Sequence, residues 1–325
     1  MKNLIKKLYF ATFLTLFLGF SHAKAELQVV TSIKPIHSLA SMLMDGIGAP
    51  KLIVDGSNSP HNFTLKPSHA KMLQNADLVF WVGEDVETFL EKPLGTVATK
   101  AKKIELMEIS QIKKLKFREK NIFEGHHDDY GEKKHDDHGH KKHDDHGEKK
   151  HDDHGHAHGE HDPHIWLDPL NAKVILNVMA KNMKMMDKKN SSKYDANLKK
   201  ANTNIDSLVS EINKNINKNA KYVVFHDAYQ YFEKRFGLKT LGALTVNTDV
   251  LPGAEQLKDI RKVIKKENAK CIFSEPQFNP KIIKAIAKDT NIKTGVLDPL
   301  GADLKNNKNL YFKLLKNLSN SLRKC

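Results

Sequence analysis

The fold is decided by residues 27–56, LQVVTSIKPIHSLASMLMDGIGAPKLIVDG. LQVVTS and KLIVDG are short apolar runs with β-branched residues, which is typical of buried strands. PIHSLASMLMDGIG, between them, has the helical spacing of apolar side chains. A strand, a helix and a second strand in this order form a unit in which the strands are parallel and the helix covers the sheet. The stretch therefore predicts an α/β fold.

The same alternation occurs in two blocks. The further strand-like runs are DLVFWVG (77–83), KIELM (103–107), YVVFHD (222–227), LGALTV (241–246), CIFSE (271–275) and TGVLD (294–298). Between the blocks, SKYDANLKKANTNIDSLVSEINKNINK predicts a long helix. We therefore predict two (β/α) lobes with mainly parallel sheets joined by one long helix. The N-terminal lobe is expected at 26–190, the connecting helix at 191–218 and the C-terminal lobe at 219–325.

Residues 1–25 belong to neither lobe. MKNLIKK is basic, the next 13 residues are apolar, and Ala23-Lys24-Ala25 fits the small-residue pattern at which signal peptides are cleaved. The apolar run is short for a membrane span, so we predict a signal peptide cleaved after about Ala25. Neither Cys271 nor Cys325 lies near this site, so no lipid anchor is expected. The mature protein is predicted to be free in the periplasm.

The net charge of +14 does not indicate a nucleic-acid-binding protein. Only 4 of the 53 basic residues are arginine, and the lysines are scattered along helical stretches instead of gathered with aromatic residues. Export also separates the chain from DNA. We therefore expect a solvated lysine-rich surface, a monomer, and no nucleic-acid partner.

A histidine-rich tract at 124–162 interrupts the first block. KKHDDHG occurs three times in it, and the tract holds 12 of the 18 histidines, with 13 acidic residues against 6 lysines. Such low-complexity composition predicts a disordered loop that attracts divalent cations. We interpret the tract as a loose collector of metal. A sensor or a dispensable insertion is the alternative, and the sequence does not decide between them.

Three histidines outside the tract lie where ligands are expected. His61 follows the second strand in SNSPHNFTLKPS, His164 lies between two Asp-Pro pairs in DPHIWLDP, and His226 ends a strand in YVVFHDAYQYF. Ligands of open α/β sheets bind at the carboxyl ends of strands, where Glu275 and Asp298 also lie. Three neutral imidazoles and one carboxylate form a four-coordinate set suited to zinc. Manganese and calcium prefer sets made of oxygen.

Seven motifs, in this order and at these separations, resemble the periplasmic zinc-binding proteins of the ZnuA type: SPH, LKPS, NADLVFWVG, DPHIWLDP, FHDAYQYFEKRFGL, EPQF and LDPLG. These proteins belong to the cluster A-I solute-binding proteins of ABC importers. The resemblance covers essentially the whole mature chain. It implies two (β/α) lobes joined by a long helix, with Zn²⁺ bound in the cleft and passed to an inner-membrane permease.

The resemblance also implies a ligand set. The three histidine ligands of the family fall on His61, His164 and His226, and the acidic residue of LDPLG falls on Asp298. Several relatives carry an acidic residue immediately before the first histidine. Here that position is Pro60, which has no ligating atom. Either Asp298 or a water molecule is therefore expected to complete the coordination.

The resemblance bears on the two cysteines as well. In an oxidising compartment, two cysteines are expected to pair. The paired cysteines of the zinc-type branch of the family fall on Cys271 and Cys325. A disulfide between them is therefore expected.

Other functions stay open at this point. A manganese or iron importer component would have the same fold, although a histidine as third ligand, where manganese-type relatives have glutamate, favours zinc. A metallohydrolase also uses three histidines and a water, but the sequence has no HExxH helix and no evident general base or nucleophile elbow. An adhesin or a zinc-storage protein built around the tract gains no support, since no cell-surface anchor is evident. We predict a zinc-binding component that is not an enzyme.

Overall fold

The computed structural model describes residues 26–118, 120–122, 159–246, 248 and 252–325, and these residues form the predicted two-lobed α/β architecture. The predicted signal peptide, at 1–25, and most of the histidine-rich tract lie outside the described residues. In the part of the chain that is described, no helix has both the length and the apolar character needed to cross a membrane.

The first lobe is built on four parallel strands in the order β2-β1-β3-β4. Its elements are β1 (Val29–Ile33), α1 (Lys34–Leu43), β2 (Lys51–Val54), α2 (Pro67–Gln74), β3 (Leu78–Trp81), α3 (Glu84–Thr96) and β4 (Lys102–Glu105). Every residue of the central strands β1 and β3 is buried. Strands of a parallel sheet are covered on both faces, and they therefore appear in the sequence as continuous apolar runs.

Helix α1 ends earlier than its sequence pattern predicts. The apolar spacing continues to Gly48, but the last helical residue is Leu43, and the N–H of Met44 closes the final turn on the carbonyl of Ala40 at 3.0 Å. Two residues later Gly46 has a φ of 69°. Glycine adopts positive φ readily because it has no Cβ. The chain therefore turns out of the helix at this glycine, towards β2.

Two long helices follow the site of the histidine-rich tract. A 3₁₀ turn at Ile165–Leu167 precedes α4 (Pro169–Met186), and the side chain of Asp168 caps this helix by accepting the N–H of Leu170. The predicted long helix is α5 (Ser191–Asn215), with 25 residues. It packs against both α4 and α1. The connecting helix is therefore part of the body of the protein and not a free linker.

The second lobe repeats the topology of the first, with four parallel strands in the order β6-β5-β7-β8. Its elements are β5 (Tyr222–His226), α6 (Gln230–Phe236), β6 (Gly242–Thr245), α7 (Ala254–Lys266), β7 (Cys271–Ser274), α8 (Lys281–Thr290), β8 (Lys293–Val296) and α9 (Leu310–Arg323). All eight predicted strands are present, with small shifts at their ends. The predicted fold class is confirmed.

One apolar core runs through both lobes. It combines the first sheet, α4, α5, one face of the second sheet and α9, and its largest fully buried side chains include Trp166, Tyr194 and Tyr311. A smaller core lies between the second sheet and helices α7 and α8. Separating the lobes would expose part of the shared core to water, which is unfavourable in proportion to the apolar area exposed.

Buried polar contacts also join the two lobes. The ammonium group of Lys34, which is only 3% exposed, donates to the carbonyl oxygens of Ala302 at 2.6 Å and Leu304 at 2.9 Å. The indole N–H of Trp166 donates to the carbonyl oxygen of Pro299 at 2.8 Å. These bonds fix the segment after β8 against the first lobe.

A segment of the first lobe, which we call the strap (residues 115–118 and 120–122), crosses to the second lobe. Ile122 forms an antiparallel bridge with Gly242 at the edge strand β6. A Cβ atom on Gly242 would lie 2.5 Å from the carbonyl oxygen of Asn121, so this approach requires a glycine. The strap therefore adds a short edge to the second sheet and ties the lobes together.

The other end of the strap pairs with the chain that returns from the histidine-rich tract. Lys116 forms an antiparallel bridge with His161, and the N–H of Asp162 donates to the carbonyl oxygen of Leu115 at 2.8 Å. The chain before the strap's crossing is therefore held against the chain that returns from the tract.

The predicted disulfide between Cys271, in β7, and Cys325, after α9, is present and joins residues 54 apart. Replacing both cysteines with serine should lower the free energy of unfolding by about 4 kcal/mol, because a cross-link of this span restricts the unfolded chain. Urea denaturation of the oxidised protein and of the Cys271→Ser/Cys325→Ser variant measures the difference. Equal stabilities would contradict the prediction.

Glu87 makes the stability of the fold depend on pH. It is fully buried, its Oε2 accepts the N–H groups of Val82 at 2.7 Å and Gly83 at 3.1 Å, and burial raises its pKa from 4.5 to about 7 against these bonds. Between these two values the folded state holds a proton that the unfolded state releases. Stability should therefore fall as pH rises through this window, by on the order of 3 kcal/mol in all.

The Glu87→Gln variant should lack this part of the pH dependence. Urea denaturation of the metal-free wild type and of Glu87→Gln at pH 5 and pH 8 isolates it, since other titrating groups affect both proteins alike. If the two proteins lose the same stability between these pH values, Glu87 does not titrate there.

Candidate metal centre

Three histidine side chains meet in the cleft between the lobes. His61 lies on the irregular segment between β2 and α2, His164 immediately precedes the 3₁₀ turn, and His226 is the last residue of β5. One ring nitrogen from each lies within 4.8 Å of the other two. Throughout the described ranges, no other three or more histidine, cysteine or acidic side chains come together in this way. The predicted convergence of these histidines is thus observed.

The ring of His164 is held by a buried carboxylate. Its Nδ1 lies 2.7 Å from Oδ1 of Asp162, which also accepts the backbone N–H of His164 at 2.9 Å. Burial raises the pKa of Asp162 to about 7, while the His164 N–H and the charge of Arg118 act against this rise. When this carboxylate is ionised it only accepts hydrogen bonds, so Nδ1 then carries the ring proton and Nε2 has a free lone pair.

Glu275 holds His226 in the same manner. The Nδ1 atom of His226 lies 2.7 Å from Oε1 and 2.8 Å from Oε2 of Glu275, and both residues are at most 4% exposed. Burial acts to lower the pKa of His226, but the charge of Glu275 and its hydrogen bond outweigh burial, and the pKa is raised. A carboxylate on Nδ1 fixes the orientation of the ring and makes the opposite nitrogen a better metal ligand.

The two supported rings face each other across a short gap. Nε2 of His164 and Nε2 of His226 are 3.2 Å apart. Burial and the neighbouring His226 lower the pKa of His164 well below its usual value. With both Nδ1 atoms directed at carboxylates, the two Nε2 atoms face one another, and either a single shared proton or a metal cation can lie between them. Two nitrogens that bind one tetrahedral zinc at ~2.0–2.1 Å would lie about 3.3 Å apart.

The cavity at this position is small. The volume open to the centre of a water molecule is about 10 Å³, which is close to what one water molecule needs by that measure. Besides the three histidines, its walls include Pro60, Trp166 and Phe278. The cavity has room for an ion or a water molecule between the rings and little more.

Arg118, on the strap, anchors the end of β5. Its Nε and Nη2 atoms donate to the two oxygens of Asp227, the residue after His226, and Nη1 donates to Oε2 of Glu233 at 2.9 Å. Burial raises the pKa of Asp227, and the charge of Arg118 opposes this effect. Two-point arginine–carboxylate contacts fix geometry as well as charge. The strap thereby restrains the backbone that carries His226.

The carboxylate of Asp298 is not in this group. Its Oδ1 accepts the N–H groups of Leu300 at 3.0 Å and Gly301 at 2.9 Å and the side-chain amide of Gln277 at 3.0 Å, and its Oδ2 accepts the N–H of Ala302 at 2.5 Å. The structure brings His61, His164 and His226 within ligand distance of one another without Asp298. Asp298 instead organises the turn after β8.

Two further histidines have structural partners. His37 lies in α1, where Nε2 is 3.1 Å from the carbonyl oxygen of Pro50, and His69 lies in α2, where Nδ1 accepts the N–H of Lys66 at 3.2 Å. In the sequence, Asp162 belongs to the histidine-rich tract, and no pattern singles out Arg118. The sequence signal for Asp162 is its position two residues before a histidine in a rigid Asp-Pro segment.

The chain is similar to known zinc-uptake proteins. Residues 29–325 match the family described as zinc-uptake complex component A, periplasmic (ZnuA). The chain is 45% identical over 333 residues to the high-affinity zinc uptake system protein ZnuA of Brucella abortus (strain 2308), covering 100% of this chain and 99% of that protein. Identity to the protein of that name from Yersinia pestis is 37%, covering 93% and 92% of the respective chains. A crystal structure of ZnuA is similar in fold, with a TM-score of 0.72 and 23% identity, covering 92% of this chain and 99% of the other.

Glu275 offers a test of how the rings are held. Glu275→Gln removes the negative charge beside His226 Nδ1 but keeps the shape of the side chain, and should weaken Zn²⁺ binding by roughly 10- to 100-fold. Competitive titration against a chromophoric chelator measures the change. Glu87→Gln, which alters a buried carboxylate of the first lobe outside the cavity, is the matched control and should bind Zn²⁺ as the wild type does. Unchanged affinity in Glu275→Gln would show that the carboxylate does not support the ligand.

Proposed function

The chain belongs to the family of periplasmic A components of zinc-uptake complexes, and on that premise we propose that it captures Zn²⁺ and delivers it to an ABC permease in the inner membrane. In this proposal His61, His164 and His226 are the ligands. Zn²⁺ is the transported cargo, and the protein performs no chemistry on it.

The observation that carries this proposal is the convergence of three imidazoles, two of them supported by buried carboxylates. Three nitrogen ligands suit Zn²⁺, whereas Mn²⁺ prefers oxygen ligands in six-coordinate sites. The shared core and the buried contacts between the lobes support a site that exists before the ion arrives. Capture then requires no closing movement of the lobes.

The small cavity argues for transport and against hydrolysis. A metallohydrolase needs space for a substrate beside the metal and its water. Here the space between the rings accepts about one water molecule, and Pro60, Trp166 and Phe278 line it. We therefore propose that the protein is not an enzyme.

Membership in the family supports a proposal for location and partners. We propose that residues 1–25 are a signal peptide cleaved after about Ala25, and that the mature protein acts in the periplasm as a monomer without a lipid anchor. Its macromolecular partner would be the permease, and no nucleic acid is involved. The histidine-rich tract would serve as a collector that supplies ions to the cleft, since its C-terminal end, Asp162, contacts the ring of His164.

Single replacement of a ligand tests the proposed site. Alanine at His61, His164 or His226 should lower the affinity for the tightest Zn²⁺, because one of three protein ligands is lost. The loss should exceed the roughly 10- to 100-fold that removing a residue behind a ligand costs. His161→Ala is the matched control, because His161 lies three residues before His164 but outside the group of ring nitrogens. Calorimetric titration measures the affinity for the tightest Zn²⁺, and the control should bind this ion as the wild type does.

The same proteins test the cargo and the role. In cells that lack the native gene, wild type and His161→Ala should restore growth under zinc chelation, whereas His226→Ala should not. Titration of the wild type with Mn²⁺ should give weaker binding than with Zn²⁺. A variant without two of the three ligands that still binds one tight Zn²⁺, or a preference for Mn²⁺, would overturn the proposal.

A further inference from the structure

Gln277 carries a buried oxygen without a partner at the proposed metal site. Its side chain lines the cavity together with His61, His164 and His226. Six buried side-chain atoms in the described part of the chain have no hydrogen-bond partner, and Oε1 of Gln277 is the one among them that belongs to a residue of this cavity. A buried carbonyl oxygen in this condition indicates that a bound molecule supplies the missing donor.

The orientation of the Gln277 amide is fixed by Asp298. The Nε2 atom of Gln277 donates to Oδ1 of Asp298 at 3.0 Å. The ionised carboxylate can only accept, and it is held in place by the N–H groups of Leu300, Gly301 and Ala302. Turning the amide over would place its oxygen against the carboxylate. Oε1 therefore points away from Asp298.

The charges around the site favour a neutral group in the fourth position. In their ionised forms Asp162 and Glu275 each contribute one negative charge next to a ligand ring, which together balance the two positive charges of Zn²⁺. Two further buried carboxylates, Asp227 and Glu233, already share the positive charge of Arg118. A third uncompensated carboxylate on the ion would leave the buried site with a net negative charge, which burial disfavours.

We propose that Oε1 of Gln277 accepts a hydrogen bond from a water molecule that is the fourth ligand of the zinc, and that Asp298 acts on the metal only through Gln277. The inference rests on the proposed function. Three histidines and one water form a tetrahedral zinc shell. The water donates hydrogen bonds once its lone pair is on the metal, so it needs an acceptor, and the orientation of Gln277 supplies one.

The first test replaces the acceptor. Gln277→Met keeps the length of the side chain and removes its carbonyl oxygen. This variant should bind one Zn²⁺ with roughly 10- to 100-fold lower affinity, the range found when outer-shell partners are lost. Gln74→Met, at an exposed position of α2, is the matched control and should bind as the wild type does. Urea midpoints of the metal-free proteins check that both variants are folded. Wild-type affinity in a folded Gln277→Met would overturn the inference.

A double-mutant cycle tests whether Asp298 acts through Gln277. If it does, Gln277→Met combined with Asp298→Asn should bind Zn²⁺ within about twofold of Gln277→Met alone, because the second change has nothing left to position. If Asp298 ligates the metal itself, its replacement should weaken binding further in the Gln277→Met background. That additive result would overturn the inference.

The third measurement detects the water. Solvent-proton relaxation of the Co²⁺-substituted wild type should show one exchangeable water on the metal, and its absence would mean that a protein group occupies the fourth position. Failure of the inference can be told apart from failure of the proposed function. If the wild type and Gln74→Met each bind one tight Zn²⁺, the proposed function stands, whatever the result for Gln277→Met. If the wild type binds no tight Zn²⁺, the proposed function is refuted.

Discussion

The close approach of His164 and His226, with two ring nitrogens 3.2 Å apart, is the constraint around which the cleft is arranged. The rings come from different lobes, and a buried carboxylate on the far side of each turns its lone pair inward. Without a metal ion, only a single shared proton can join the two nitrogens, and one hydrogen bond is too weak to fix the distance between the lobes. The rest of the protein must therefore hold the two rings in place, and the architecture of the lobes can be understood from that requirement.

The shared core meets this requirement. The lobes do not have separate interiors joined by a hinge, since α5 and α9 pack into one apolar core with both sheets. Lys34 and the strap add buried polar contacts on either side of the cleft. The entropy of positioning the ligands is consequently lost during folding and not during binding. Such a site binds tightly with few contacts, whereas histidines on a flexible segment must be ordered each time they bind.

The sequence predicted those parts of the molecule that depend on local pattern. Strands covered on both faces are continuous apolar runs, so all eight could be located, and strand ends in an α/β fold indicated where His61 and His226 would lie. The end of α1 was misplaced because a single glycine conformation overrides the apolar spacing. Asp298 was predicted as one of two candidates for the fourth position, the other being water, from the family resemblance and from its place after a strand. Its engagement by three backbone N–H groups depends on the path of the following turn, which residue spacing does not reveal.

Because Lys116 pairs with His161, the length of the sequence between them does not affect the geometry of the cleft. When the two ends of a loop are already held together, each doubling of its length changes the closure free energy by only about 0.6 kcal/mol. Repeats such as KKHDDHG can accordingly be gained or lost during evolution without displacing His164. The same property makes this position suitable for domain insertion. A fluorescent reporter grafted there would sit beside the metal centre and leave the scaffold unaltered, which is the geometry required of a genetically encoded metal sensor.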